Sequence, residues 1–211
     1  ATLDDALRAS AAFSLFRRSG ALIANPTAQG VSLRNIGPSG ASRSLVLLDG
    51  VPLNDPFGGW VAWSAVPVGS LDRVEMVRGG GSGTWGNAAL SGTVQLFSAV
   101  PEQSSGQVAA ELGDFGWRSA EGDMSQRLRS STLDLNLRAF SFGGFQVVGP
   151  SQRGPIDMRL FSRDQSGRLS WRQALGQRTT LQLSARYFHE TRGNGTPLQN
   201  NESESRQVAA S

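Results

Sequence analysis

The sequence of 211 residues has no Cys and no Lys, and it contains a single His. Without Cys it can form neither disulfides nor thiolate sites. All 20 basic residues are therefore Arg. Because guanidinium groups stay protonated to very high pH, the sequence pI of 10.8 accompanies a formal net charge of only +3. Arg and acidic residues nearly balance, at 7 against 6 up to Pro101 and 13 against 11 after it. We expect no nucleic-acid partner, because such a partner requires clustered positive charge.

Long hydrophobic runs are also missing. No stretch of about 18 apolar residues occurs, so the sequence predicts no transmembrane helix. The opening residues carry acids and lack the apolar region of a signal peptide; they read ATLDDALRAS. Composition alone leaves the cellular compartment open.

Signatures of enzymes are weak. Gly81–Gly86 fits the pattern G-x-G-x-x-G, but Gly92 leaves no room for the long helix that a dinucleotide site needs. A phosphate-binding P-loop is excluded because there is no Lys to complete it. His189 lies in a predicted strand, and no G-x-S-x-G nucleophile accompanies it. We therefore expect no enzyme activity, no cofactor and no metal site.

The first part of the chain, Ala1–Pro101, has the pattern of a compact α+β domain. Thr2 precedes apolar residues at helical spacing, so it predicts the start of a short helix. Alternating or continuous apolar residues predict four strands, at Gly30–Arg34, Ser44–Leu48, Asp72–Arg78 and Thr93–Phe97. The run Leu45–Leu48 has no polar residue, which predicts a central strand buried on both faces. Asp49 and Gly50 predict the turn that follows it.

After Pro101 the pattern changes to about six long alternating strands. Leu133, Leu135 and Leu137, for example, alternate with polar residues. A strand of about ten residues is long enough to span a bilayer when it is tilted. A short turn at Arg129–Ser131 contrasts with long polar connections at Phe145–Asp157 and Gly193–Ser203, as in outer-membrane barrels. A soluble antiparallel sandwich also alternates, but here one face is dense in charges and the other has few bulky core residues.

Four blocks of the first part stand out, in chain order Asn25–Arg34, Ser44–Leu53, Arg73–Gly79 and Trp85–Val94. They resemble the plug domain of TonB-dependent outer-membrane receptors. Each block alone is weak, but their order and spacing together are specific. Asn35, Trp85 and Ser91 stand where the family usually has Gly, Tyr and Gly. The segment that engages TonB has no match and would lie upstream of Ala1.

The resemblance implies a fold in two parts. Residues 1–101 would form an α+β plug domain with a small mixed sheet. Residues 102–211 would supply about six antiparallel transmembrane strands of a partial, unclosed β-barrel. A closed barrel needs at least eight strands, and Ser211 is not the aromatic residue on which such barrels usually end. We therefore expect the chain to be a fragment of a longer receptor.

The function implied by the resemblance is TonB-dependent import of a scarce ligand across the outer membrane of a Gram-negative bacterium. The ligand would be an iron–siderophore, cobalamin or a carbohydrate. The partners would be TonB, acting through an N-terminal segment missing from this chain, the small-molecule ligand and outer-membrane lipid. The alternative is a non-transporting binding or signal-transducing outer-membrane protein with the same plug and barrel.

Two groups of candidate site residues follow. Ligand-binding residues at the plug apex are expected to be Asn54, Asp55, Phe57, Trp60 and Trp63, because aromatic stacking beside polar groups suits all these ligands. Alternatively, one or both tryptophans pack as core. Residues that lock the plug to the barrel are expected to be Arg34, Glu75 and Arg78, because enclosed charges need ionic partners. Glu75 and Arg78 would pair with barrel residues or with each other; the alternative is that these charges are solvated.

Overall fold

The computed structural model describes residues 2–15, 17, 19–33 and 42–211. The chain forms two compact units, Ala1–Ala99 and Val100–Ser211. Within the described ranges, no helix combines the length and the apolar character needed to cross a membrane.

The described residues of the first unit form two short α-helices, several 3-10 turns and six strands. The helices are α1 (Leu3–Leu7) and α2 (Ser82–Trp85), and the strands are β1 (Ser14–Leu15), β2 (Val31–Ser32), β3 (Ser44–Leu48), β4 (Val51–Pro52), β5 (Leu71–Arg78) and β6 (Gly92–Ser98). Strands β1 and β2 form a separate antiparallel pair. The expected strand Gly30–Arg34 is therefore only two residues long where it is described, and Arg34 lies outside the described residues.

The other four strands of this unit form a mixed sheet in the order β4-β3-β6-β5. Strand β3 runs parallel to β6 and antiparallel to β4, and all five of its residues are buried. This arrangement confirms the prediction that Leu45–Leu48 lies in the interior of a small mixed sheet. Asp49 and Gly50 turn the chain with positive φ values of 50° and 82°. The Asp49 carboxylate also accepts a hydrogen bond from the backbone N–H of Ser98 at 2.9 Å, which ties this turn to the end of β6.

Helix α1 is held against the core by its polar as well as its apolar residues. Its apolar side packs Leu3 and Leu7 into the core of the unit. The Asp5 carboxylate accepts a hydrogen bond from the Thr2 backbone N–H at 3.3 Å as part of a capping box, and it also accepts from the Thr2 hydroxyl at 2.7 Å. Asp4 forms an ion pair with Arg17 at 2.6 Å, with the side chains 0% and 5% exposed. Burial lowers the pKa of Arg17, and the Asp4 carboxylate opposes that effect.

The second unit is one antiparallel sheet of six strands. They are β7 (Ser105–Leu112), β8 (Arg118–Leu128), β9 (Ser131–Phe142), β10 (Phe161–Ala174), β11 (Thr180–Gly193) and β12 (Asn200–Ala210). They lie in sequence order, and within this described unit β7 and β12 do not pair with each other. The predicted number of strands and the unclosed sheet are thus confirmed.

The connections of this sheet differ in length at its two ends. At one end, residues 129–130 and 175–179 make short turns, whereas residues 143–160 make a long connection at the opposite end. The connection expected at Gly193–Ser203 is shorter, at residues 194–199, because β11 extends to Gly193 and β12 begins at Asn200. The polar residues Asn200–Ser203 pair in register with β11, since backbone hydrogen bonds do not require apolar side chains.

Candidate functional site

A hairpin-like loop at Asn54–Val61, named here the apex loop, projects from the mixed sheet. Asn54 and Val61 form an antiparallel bridge, and Asp55 N–H donates to the carbonyl of Trp60 at 2.8 Å. The Asn54 side chain fixes the base of the loop. Its Oδ1 accepts from Val46 N–H at 2.7 Å, and its Nδ2 donates to the carbonyls of Ser44 and Gly59 at 3.2 and 3.1 Å.

The tip of the apex loop is shaped by Asp55. Its carboxylate accepts hydrogen bonds from the backbone N–H groups of Phe57 and Gly58, at 3.0 and 2.6 Å. Phe57 is 97% exposed, and Trp60 is half-buried. The Trp60 ring lies across Gly58, where a Cβ atom would overlap it. The loop therefore presents one exposed ring and one supported ring, while its polar side chains hold its backbone.

Trp63 occupies a different environment from the other predicted apex residues. Its side chain is completely buried, and its Nε1 donates to the carbonyl of Gln29 at 3.1 Å. Phe13 packs against it edge to face, with 5.5 Å between ring centroids. The sequence left open whether these tryptophans contact ligand or pack in the core. The structure places Trp63 in the core, where its indole fills the space between Gln29 and the mixed sheet.

The charges predicted to lock the plug lie on β5. Glu75 and Arg78 are both exposed, and they are three residues apart, so strand alternation points them to opposite faces. Glu75 pairs instead with Arg73, whose Nε lies 2.9 Å from its Oε1, and the Arg73 guanidinium also stacks on Phe97 at 3.9 Å. No ion pair joins Arg78 to any described residue. The expected pairing of Glu75 with Arg78 is therefore not formed within this unit.

The second unit carries a buried ionic network on one face of its sheet. We call this the polar face; it includes Glu121, Ser125, Asp134, Arg138, Asp164, Arg172, Glu190 and Arg192. Arg138 on β9 bridges Glu121 on β8, at 3.1 Å, and Asp164 on β10. Arg172 pairs with Asp134 at 3.0 Å, and Ser125 donates to the same carboxylate at 2.6 Å. The network links neighbouring strands through charged hydrogen bonds.

Aromatic rings lie at the end of the polar face that carries the long connection. Trp117 packs edge to face against Phe140 at 4.8 Å and Phe142 at 6.0 Å. Phe145 extends the cluster from Phe142 at 6.4 Å. The Trp117 Nε1 donates to Glu111 Oε2 at 3.0 Å, which fixes the indole. This cluster places aromatic ring faces next to the carboxylate of Glu111.

The charged residues of the polar face could not be singled out from the sequence as individual candidates. The sequence shows that alternate residues of the later strands are charged, but this alternation does not reveal which charged side chains meet across neighbouring strands. The register supplies that information, since Glu121 pairs with Arg138 as a cross-strand neighbour. The signal available in the sequence was the recurrence of opposite charges at alternate positions of adjacent strands.

Comparison with known proteins finds one family model that resembles the first unit. Residues 1–93 match the TonB-dependent Receptor Plug Domain. A sequence relative is the vitamin B12 transporter BtuB of Vibrio vulnificus, which is 33% identical over 104 residues. That alignment covers 49% of this chain and 15% of the transporter.

Solved structures share the fold of the chain. The copper transporter OprC superimposes with a TM-score of 0.68 at 15% identity, covering 100% of this chain and 32% of that one. A mutant of the ferric enterobactin receptor of Pseudomonas aeruginosa, in complex with enterobactin, gives 0.64 at 14% identity, covering 99% and 36%. Identities this low support the fold alone, which corresponds to a plug and part of a barrel.

The coverages show that the chain spans only part of the length of the receptors it matches.

Proposed function

We propose that the chain acts in TonB-dependent import of a scarce small ligand across the outer membrane, because residues 1–93 match the TonB-dependent receptor plug domain. Members of this family are Gram-negative outer-membrane receptors that bind small-molecule ligands and interact with TonB. The proposal for this chain adds that its six-stranded unit is embedded in the membrane and that its plug unit gates the passage of ligand.

The observation that carries this proposal is the inverted distribution of polarity in the six-stranded sheet. Val108, Leu112 and Val208 are 87%, 82% and 84% exposed, whereas Asp134 and Asp164 are 5% and 2% exposed. A sheet in water buries its apolar face, because that burial is the main stabilising contribution to folding. An exposed apolar face opposite a polar one is the pattern of a transmembrane barrel, with lipid outside and an aqueous interior.

The strand lengths agree with a membrane location. Strands β9 and β10 have 12 and 14 residues, whereas a bilayer requires about 9–11 residues in a tilted strand. Both of these strands are thus long enough to cross the hydrocarbon layer. The short turns would then face the periplasm, and the long connection would face the exterior.

The apex loop is the proposed ligand contact of the plug. Phe57 and Trp60 would supply the stacking surface, while Asn54 and Asp55 would hold the loop in shape. Trp63 would support it from the core rather than contact the ligand. The aromatic cluster around Trp117 would offer further stacking surface on the polar face of the sheet.

Glu75 and Arg78, together with Arg34, are proposed to hold the plug in its resting position. This proposal is supported by the exposure of Glu75 and Arg78 on the edge strand β5. Charges in such an enclosed space gain from partners and are costly when left alone.

The test is uptake by cells that produce the intact receptor, in matched strains with and without TonB. Labelled cobalamin, a ferric siderophore, copper and a maltodextrin are supplied separately at limiting concentrations. The proposal predicts accumulation of at least one of them that is lost on removal of TonB or of the proton gradient. Equal accumulation of every compound in both strains would contradict it.

A further inference from the structure

The aromatic rings around Trp117 belong to a longer row of contacts, which we call the aromatic run. Its five members, in order of contact, are Phe140, Trp117, Phe142, Phe145 and Phe115. Successive ring centroids lie 4.8, 6.0, 6.4 and 6.1 Å apart. Phe140 and Phe142 are buried, whereas Phe145 and Phe115 are exposed. The aromatic run therefore leads from the exposed connections at this end of the sheet to its polar face.

Hydrogen-bonding groups flank the aromatic run on both sides. The strand register places Phe140 at the centre of a row that crosses the polar face from β7 to β11. In strand order the row consists of Glu111, Ser119, Phe140, Asp164 and Glu190. Cross-strand neighbours of this kind have Cβ atoms about 5 Å apart. The Phe140 ring thus has a hydroxyl on one side and a carboxylate on the other, followed by a further carboxylate on each side.

Two of the polar groups beside the aromatic run are buried without full hydrogen bonding. Ser162 on β10 is the cross-strand neighbour of Phe142, as Asp164 is of Phe140. Both side chains are buried, and neither the Ser162 hydroxyl nor Asp164 Oδ2 has a hydrogen-bond partner among the described residues. Buried polar atoms without a partner are destabilising and rare. Their position beside aromatic rings points to a ligand that supplies the missing partner.

The charges of this region do not favour an anionic ligand. Arg192 is paired with Glu190, and Arg138 is paired with Asp164. Glu111, at the end of the row, forms no ion pair with a described residue, and its Oε2 accepts from the fixed indole N–H. An anionic ferric siderophore would therefore meet carboxylates and neutralised cations here. The hydroxyl groups of an uncharged ligand would instead find hydrogen-bond acceptors.

We propose that this surface binds a linear, neutral oligosaccharide, whose sugar rings stack on the aromatic run and whose hydroxyl groups bind Ser162, Asp164 and Glu111. The inference rests on the proposed function and narrows the imported ligand to one chemical class. A sugar ring packs its C–H face on an aromatic ring and directs hydroxyl groups from its edge to polar groups beside it. A chain of repeated flat units also matches a run of five rings, whereas a compact ligand would contact only part of it.

The experiment measures binding to the intact receptor in detergent by isothermal titration calorimetry. Neutral gluco-, manno-, xylo- and chito-oligosaccharides, cyanocobalamin and ferric enterobactin are titrated separately. The first variant pair is S162A and S170A. Both serines lie on the polar face of β10 with buried hydroxyls that lack a described partner. Ser170 lies about 26 Å further along the strand, away from the aromatic run, and is the matched control.

A second pair of variants tests stacking. W117A removes one ring of the aromatic run. Y187A is its control, because Tyr187 is three residues from Glu190 on β11 and so lies on the opposite face of the sheet.

At least one oligosaccharide is expected to bind the wild type, S170A and Y187A with equal affinity, and more tightly than cyanocobalamin or ferric enterobactin. W117A should weaken that binding by roughly 10-fold, as expected for one aromatic contact. S162A should weaken it by roughly 5-fold, as expected for one hydrogen bond. S162A should not lower the thermal stability of the receptor, because the hydroxyl that it removes has no partner in the fold.

Failure of every oligosaccharide to bind would overturn the inference, as would wild-type affinity in either W117A or S162A. TonB-dependent uptake of another compound would in that case leave the proposed function standing. The proposed function itself falls only if TonB-dependent uptake is absent.

Discussion

At the scale of single residues, buried polar groups explain how the first unit holds its shape. Asp4 and Arg17 are withdrawn from water as a pair, and Trp63 satisfies its only hydrogen-bond donor within the core. Such groups are costly to leave alone, because a buried charge or N–H without a partner loses its hydration without compensation. Substitutions at these positions should therefore affect stability, whereas substitutions of exposed neighbours should not.

Asp4→Asn should destabilise the first unit by about 3–5 kcal/mol, because it leaves the Arg17 guanidinium buried without its counter-charge. The measurement is the free energy of local opening around α1, from hydrogen exchange on the intact receptor. The control is Asp72→Asn, which removes an exposed partner of Arg73 at 3.5 Å and should change stability by less than about 1 kcal/mol. Equal effects of the two substitutions would show that the Asp4–Arg17 pair does not anchor α1.

Trp60→Ala and Trp63→Ala should separate ligand contact from core packing. Trp63→Ala should cost about 3–5 kcal/mol of stability, as do large-to-small substitutions in cores. Trp60→Ala should leave the unit folded and weaken ligand binding, measured by titration of the intact receptor with its transported ligand. Unchanged affinity in Trp60→Ala would remove the apex loop from the binding site.

At the scale of elements, short sequence patterns correctly predicted the strands and turns that local interactions determine. The apolar run Leu45–Leu48 identified the buried strand β3, because only an interior strand of a sheet can bury successive side chains on both faces. The pair Asp49 and Gly50 identified the turn, because both positions take positive φ. The start of β12 was missed because Glu202 and Glu204 made its sequence resemble a loop, although its backbone pairs with β11.

The candidate sites were less predictable than the elements. The pattern could not separate Trp60 from Trp63, because their different burial depends on contacts with Phe13 and Gln29, which are distant in the sequence. Similarly, alternation on β5 showed which residues share a face, yet the partner of Glu75 proved to be Arg73. Long-range packing decided both cases.

Charge reversal on β5 tests the proposed lock at this scale. Glu75→Arg and Arg78→Glu in the intact receptor should each increase passive entry of small solutes, because each places like charges where the resting plug needs opposite ones. The measurement is sensitivity of the cells to a small antibiotic that the outer membrane normally excludes. Asp72→Arg, an exposed position on the same strand, serves as the control. Wild-type permeability in both reversal variants would indicate that these charges are merely solvated.

At the scale of the whole molecule, the account depends on the two unlike faces of the six-stranded sheet. The alternation of Leu133, Leu135 and Leu137 with Asp134, Asn136 and Arg138 in the sequence predicts these faces. The structure adds that the polar members are the more buried ones and that they are joined by ionic contacts. This inverted burial supports the proposal that the sheet lies in lipid and that the chain acts in import.

The most direct test is the environment of successive side chains along β9 in the intact receptor within a bilayer. These 211 residues contain no Cys, so a spin label on one introduced Cys reports on one position of the chain. Labels at 133, 135 and 137 should collide readily with oxygen dissolved in the membrane. Labels at 132 and 136 should instead be shielded from oxygen or exposed to a water-soluble relaxant, giving a period of two residues. If the labels at 133, 135 and 137 were shielded from oxygen, or if no alternation occurred, the sheet would not face lipid and the transport function would be contradicted.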